Sequence, residues 1–69
     1  MTEKQKLFCE EYLIDLNATQ AALRAGYSEK TAYSIGNENL KKPEIQEYIQ
    51  KRLTQVYNER LRHYSGGTV

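Results

Sequence analysis

Lys30, Ser34, Asn37 and Lys41 recur at i, i+4, i+7 and i+11 in a 69-residue chain, the spacing of one face of a helix. Their chemistry is that of nucleic-acid contact. Lysine suits a phosphate or a guanine, asparagine an adenine, and serine either base edges or phosphates. Thr31, Tyr33 and Glu38 flank the row. Any exposed helix in a soluble protein carries a polar face, so the row gains meaning only from the elements that position it.

Catalytic chemistry finds no comparable pattern. Cys9 is the only cysteine and His63 the only histidine, which excludes an internal disulfide and a thiolate metal cage. No glycine loop cradles a phosphate and no metal-ligand spacing occurs. Glu10 and Glu11 are adjacent on a helix and point in different directions, a poor catalytic pair. The chain is therefore expected to be no enzyme and to need no cofactor or metal. It has no apolar run long enough to span a membrane, and its start, MTEKQKLF, has no signal-peptide core, so a cytoplasmic location is expected. Ten basic and nine acidic side chains leave a net charge of +1. Glu10, Glu11 and Asp15 lie early, while Lys30, Lys41, Lys42, Lys51, Arg52, Arg60 and Arg62 lie late. That asymmetry permits a basic face without requiring one.

The elements around the polar row read as helices throughout. Thr2 with Gln5 has the form of a capping box and opens a first helix from about Glu3 to Leu16. Phe8, Cys9, Tyr12, Leu13 and Leu16 share its inner face; Leu7 and Ile14 lie off it, as peripheral contacts or a second docking surface. Asn17, with Gln20 at the capping-box spacing, starts a short helix from Ala18 to Ala25. Ser28 caps a third, Glu29 to Lys41, with Glu29 favoured by the helix dipole. Pro43 closes the third helix and opens a fourth. There Ile45, Tyr48, Ile49, Leu53 and Val56 form one apolar stripe. Leu53, Tyr57, Leu61 and Tyr64 form a second seam, either the edge of the core or a contact with another chain. The fold class is all-α, a small four-helix domain over residues 1–64, with a flexible tail at 65–69.

Two glycines interrupt this pattern. A glycine inside a helix costs about 1 kcal/mol relative to alanine, so each needs a reason. Gly26 falls between two short helices, preceded by Ala21, Ala22 and Ala25, which let helices cross closely. That is the helix-turn-helix arrangement, with Gly26 left-handed in the turn. Gly36 lies beside the inward positions Ala32, Ile35, Asn39 and Leu40. It either admits a neighbouring helix at close range or kinks the third helix.

Over about Lys4 to Leu53 the sequence resembles the N-terminal domain of bacteriophage terminase small subunits. The resemblance is carried by Lys4-Gln5 with Phe8 and Tyr12, by DLNATQAALRAGYS, by Thr31-Ala32 with Gly36, and by KKPEIQEYI. It implies a helix-turn-helix that binds double-stranded DNA at the packaging initiation site and hands it to a large subunit holding the ATPase and nuclease. It implies a recognition helix within Ser28 to Lys41, contacting DNA through Lys30, Thr31, Tyr33, Ser34 and Asn37. Lys41 and Lys42 are candidate phosphate contacts. The family assembles as a homo-oligomeric ring through a later helical region that is mostly or wholly missing here. One domain of a longer protein is thus expected, monomeric by itself.

Two other functions share these features. A helix-turn-helix transcriptional regulator would use the same motif on a palindromic site as a dimer. A helical protein-interaction module would use the six tyrosines, a residue enriched at interfaces; equally, Tyr12, Tyr27 and Tyr48 could be half-buried core.

Overall fold

A computed structural model describes the backbone of residues 1–68 and the side-chain surroundings of residues 1–59. It contains four helices: α1 (Glu3–Asp15), α2 (Ala18–Arg24), α3 (Glu29–Lys41) and α4 (Pro43–Thr68). The all-α expectation holds.

The capping chemistry explains most boundaries. Thr2 Oγ1 accepts from Gln5 N at 3.1 Å, and Thr2 N donates to Gln5 Oε1 at 2.9 Å, a complete capping box. Asn17 Oδ1 accepts from Gln20 N at 3.0 Å, but the reciprocal arm differs from the expected box. Asp15 Oδ1, not Gln20, takes the Asn17 N–H, at 3.2 Å. Ser28 has the extended backbone of an N-cap yet makes no side-chain cap bond. Its hydroxyl lies 2.9 Å from that of Thr31 instead. Lys42 is extended, as a residue before proline is pushed to be, and Pro43 opens α4.

Leu16 departs from its expected place. It is the left-handed C-cap of α1, φ 57°, with its N–H donating to Tyr12 O, and is 61% exposed. The turn that sends the chain into α2 takes this residue off the helix and so off the inner face. Leu7 and Ile14 are exposed too.

The core joins all four helices: Phe8 and Cys9 from α1, Ala21, Ala22 and Ala25 around α2, Ala32 from α3, Ile45 and Ile49 from α4. Phe8 and Tyr12 stack with ring centroids 6.0 Å apart. Tyr12, Tyr27 and Tyr48 are half-buried and pack against this cluster. Alanines on α2 leave room for α1 and α3 to approach, which is how so short a helix sits centrally. At Gly36 an added Cβ would stand 2.8 Å from Ala18 O. Close helix approach, not a kink, accounts for this glycine, since α3 runs unbroken through it.

On α4 the apolar stripe ends early. Ile45 and Ile49 are buried, whereas Leu53, Val56 and Tyr57 are exposed. No described helix reaches far enough along α4 to cover them. Leu61 and Tyr64, the rest of the expected second seam, lie outside the described side chains. The helical backbone of α4 continues through Thr68, into the segment 65–69 expected as a tail.

Candidate nucleic-acid interface

The α2–α3 corner is built by the backbone. Tyr27 N donates to Ala22 O at 3.0 Å and Gly26 N to Leu23 O at 3.1 Å. These are the two bonds of a Schellman motif, with Gly26 at φ 101° as its left-handed residue. Ala32 and Gly36 then face inward and are buried, which turns the opposite side of α3 to solvent.

On that side Lys30, Ser34, Asn37 and Lys41 are all exposed. They fall within an arc of about 60° at 3.6 residues per turn. Thr31 and Tyr33 are exposed on either side, Tyr33 by 68%. The Thr31 hydroxyl is already engaged with Ser28. Lys42 stands apart from the row. It is half-buried at the α3–α4 corner, where its carbonyl accepts from Gln46 N at 2.9 Å.

Charge pairing separates the lysines of this face from Arg24, Lys51 and Arg52, although Lys4 and Lys6 on α1 are also exposed and outside the ion pairs of the described residues. Arg24 is bound by Glu11 at 2.6 Å and Asp15 at 3.1 Å, Arg52 by Glu10 at 3.3 Å, and Lys51 by Glu47 at 3.1 Å. Among the described residues Lys30, Lys41 and Lys42 make no ion pair. Their charge is available to an outside anion. The paired cations serve the fold: Arg24 ties α1 to α2, while Glu10 receives both Tyr48 and Arg52 and ties α1 to α4. The Arg24 hydrogen bond holds the Asp15 carboxyl below its usual range, and the Glu10 carboxylate beside Tyr48 pushes that phenol up.

Sequence spacing gave no sign of one further group at the corner. Lys4, from the first turn of α1, places its ammonium 5.1 Å from the centroid of the Tyr27 ring. The two residues are far apart in the chain, and only the packing of α1 against the α2–α3 turn brings them together.

These features define a helix-turn-helix domain with a solvent-facing, cation-bearing second helix. Residues 1–63 match the family model for the terminase small subunit. The chain belongs to the terminase small subunit family. It is 47% identical over 62 residues to the terminase small subunit of Staphylococcus phage 80alpha, covering 88% of this chain and 42% of that protein. The terminase small subunit of Bacillus phage SF6 gives 47% over 62 residues, covering 88% and 43%. That of Bacillus phage SPP1 gives 44% over 61 residues, covering 87% and 42%. The chain thus spans about two-fifths of the length of these curated relatives. Among the described residues no helix is long and apolar enough to cross a membrane.

Proposed function

We infer that this chain is the double-stranded-DNA-binding domain of a phage packaging terminase, with α3 as the recognition helix and no chemistry of its own. The observation that carries the reading is the exposed row on α3, whose lysines stay unpaired while the described arginines are neutralised within the fold. Lys30 and Lys41, about 16 Å apart along the axis at 1.5 Å per residue, suit phosphates. Ser34 and Asn37 between them suit base edges. Thr31 and Tyr33 flank the contact, and Lys42 adds a phosphate contact at the corner.

In the host cytoplasm the full-length protein would recognise the packaging initiation site and present it to the large subunit, which supplies the ATPase and nuclease. A ring of subunits would add weak contacts through effective concentration. The domain alone is proposed to be monomeric and to bind weakly, with nonspecific affinity of about 10⁻⁴ to 10⁻⁶ M. Membership in the terminase family favours packaging over transcriptional regulation.

Amide shifts under titration with duplex DNA, at low and then physiological salt, test the assignment. Shifts on Lys30, Thr31, Ser34, Asn37 and Lys41 that fade as salt rises support it. Shifts confined to α4, or none at low salt, overturn it.

A further inference from the structure

We propose that Lys4 is a DNA-phosphate contact delivered from α1, with the Tyr27 ring as its positioning residue. The inference rests on the DNA-binding reading of α3 and adds a contact from outside the helix-turn-helix itself.

Three observations converge on this residue. The Lys4 ammonium stands 5.1 Å from the Tyr27 ring centroid, within the range at which an aromatic face attracts a cation. Its Cε lies 3.7 Å from where a Cβ on Gly26 would be, so the stem runs along the bare backbone of the turn. Lys4 is exposed, and among the described residues it forms no ion pair. A neutral ring orients the ammonium without cancelling its charge, unlike the carboxylates on Arg24 and Arg52.

Position gives the cation its use. Tyr27 immediately precedes Ser28, the N-cap of α3. In a helix-turn-helix the N-terminal residues of the recognition helix approach the base edges. A charge beside that end lies where the strand flanking the groove passes. Lys4 would then meet a backbone phosphate on one side of the groove while Lys30 enters from α3. The contact reads no sequence; it fixes register and orientation, as phosphate contacts do.

The alternative is that Lys4 only fastens α1 to the turn. Salt dependence separates the two, because each phosphate contact contributes about 0.9 to the slope of log K against log salt. The 69-residue chain and its Lys4→Gln, Lys4→Arg, Lys30→Gln and Lys51→Gln variants would be titrated against a labelled random-sequence duplex of about 20 base pairs between about 50 and 200 mM salt. Circular dichroism would verify that each variant is folded. Lys4→Gln is expected to lower the slope by about 0.9, so that its deficit against wild type shrinks about threefold across that range. Lys4→Arg should restore the slope, and Lys51→Gln, with the same loss of charge, should leave it unchanged. An unchanged slope in Lys4→Gln overturns the proposal, as does an equal loss in Lys51→Gln. If wild type binds and Lys30→Gln weakens it while Lys4→Gln does not, only the Lys4 contact falls. If wild type does not bind at 50 mM salt, the DNA-binding reading falls with it.

Discussion

At Gly36 a methyl group would stand 2.8 Å from Ala18 O and 3.2 Å from Ala18 Cβ. In an exposed helix interior, glycine to alanine would stabilise by about 1 kcal/mol. Here the neighbour is backbone and cannot swing away, so the sign reverses. Gly36→Ala is expected to destabilise the domain by about 1–3 kcal/mol, the usual cost of overpacking, read as a lower urea midpoint. Cys9 makes the second case at this scale. It is fully buried, and burial, with a smaller contribution from neighbouring Glu10, pushes its thiol up to about 11. Since the thiolate is the nucleophile, Cys9 in the folded chain should resist a thiol reagent at pH 8. It should react at the rate of a free cysteine once denaturant unfolds the domain.

Between elements, two polar clamps fasten α1 to its neighbours: Arg24 with Glu11 and Asp15 on the α2 side, and Glu10 with Tyr48 and Arg52 on the α4 side. The first carries a pH signature. Arg24 holds the folded-state pKa of Asp15 below its ordinary value. A depressed carboxyl contributes stability that is present above the unfolded pKa, near 4, and is lost as pH falls through the lower folded value. Asp15→Asn should therefore be less stable than wild type at pH 7, with the difference closing as both are titrated below pH 4. Thermal melts at a series of pH values read this directly. The same element carried two of the sequence expectations that failed locally. Asp15 displaced Gln20 from the Asn17 N–H, and Leu16 left the inner face to make the left-handed turn.

For the whole molecule, the core places its few large apolar side chains where four helices meet and leaves residues 53–59 of α4 uncovered. Ile45 is fully buried, while Tyr57 is 63% exposed. Ile45→Ala should cost about 2–5 kcal/mol, the range for a buried isoleucine. Tyr57→Ser should stay within about 0.5 kcal/mol of wild type, as surface changes do. Denaturant unfolding at low protein concentration measures both. A concentration-dependent loss in Tyr57→Ser would instead mark the exposed seam as a contact between copies.

Helix number, all four N-terminal boundaries, the glycine turn and the polar row on α3 were legible from residue order. Each depends on interactions within a few residues: a capping side chain, the fixed φ of Pro43, the freedom of Gly26 to take a positive φ, the 3.6-residue period. What tertiary structure alone decided is which of those features meet. The Leu53–Val56 part of the stripe has the same period as Ile45–Ile49, and only the reach of the other helices determines that one is buried and the other not. Arg24 and Lys30 are equally cationic in sequence, and only packing places carboxylates on the first and none on the second. Lys4 met Tyr27 for the same reason. Local order specifies each helix and its faces, whereas the partner of a face or a charge lies many residues away and is chosen when the helices pack.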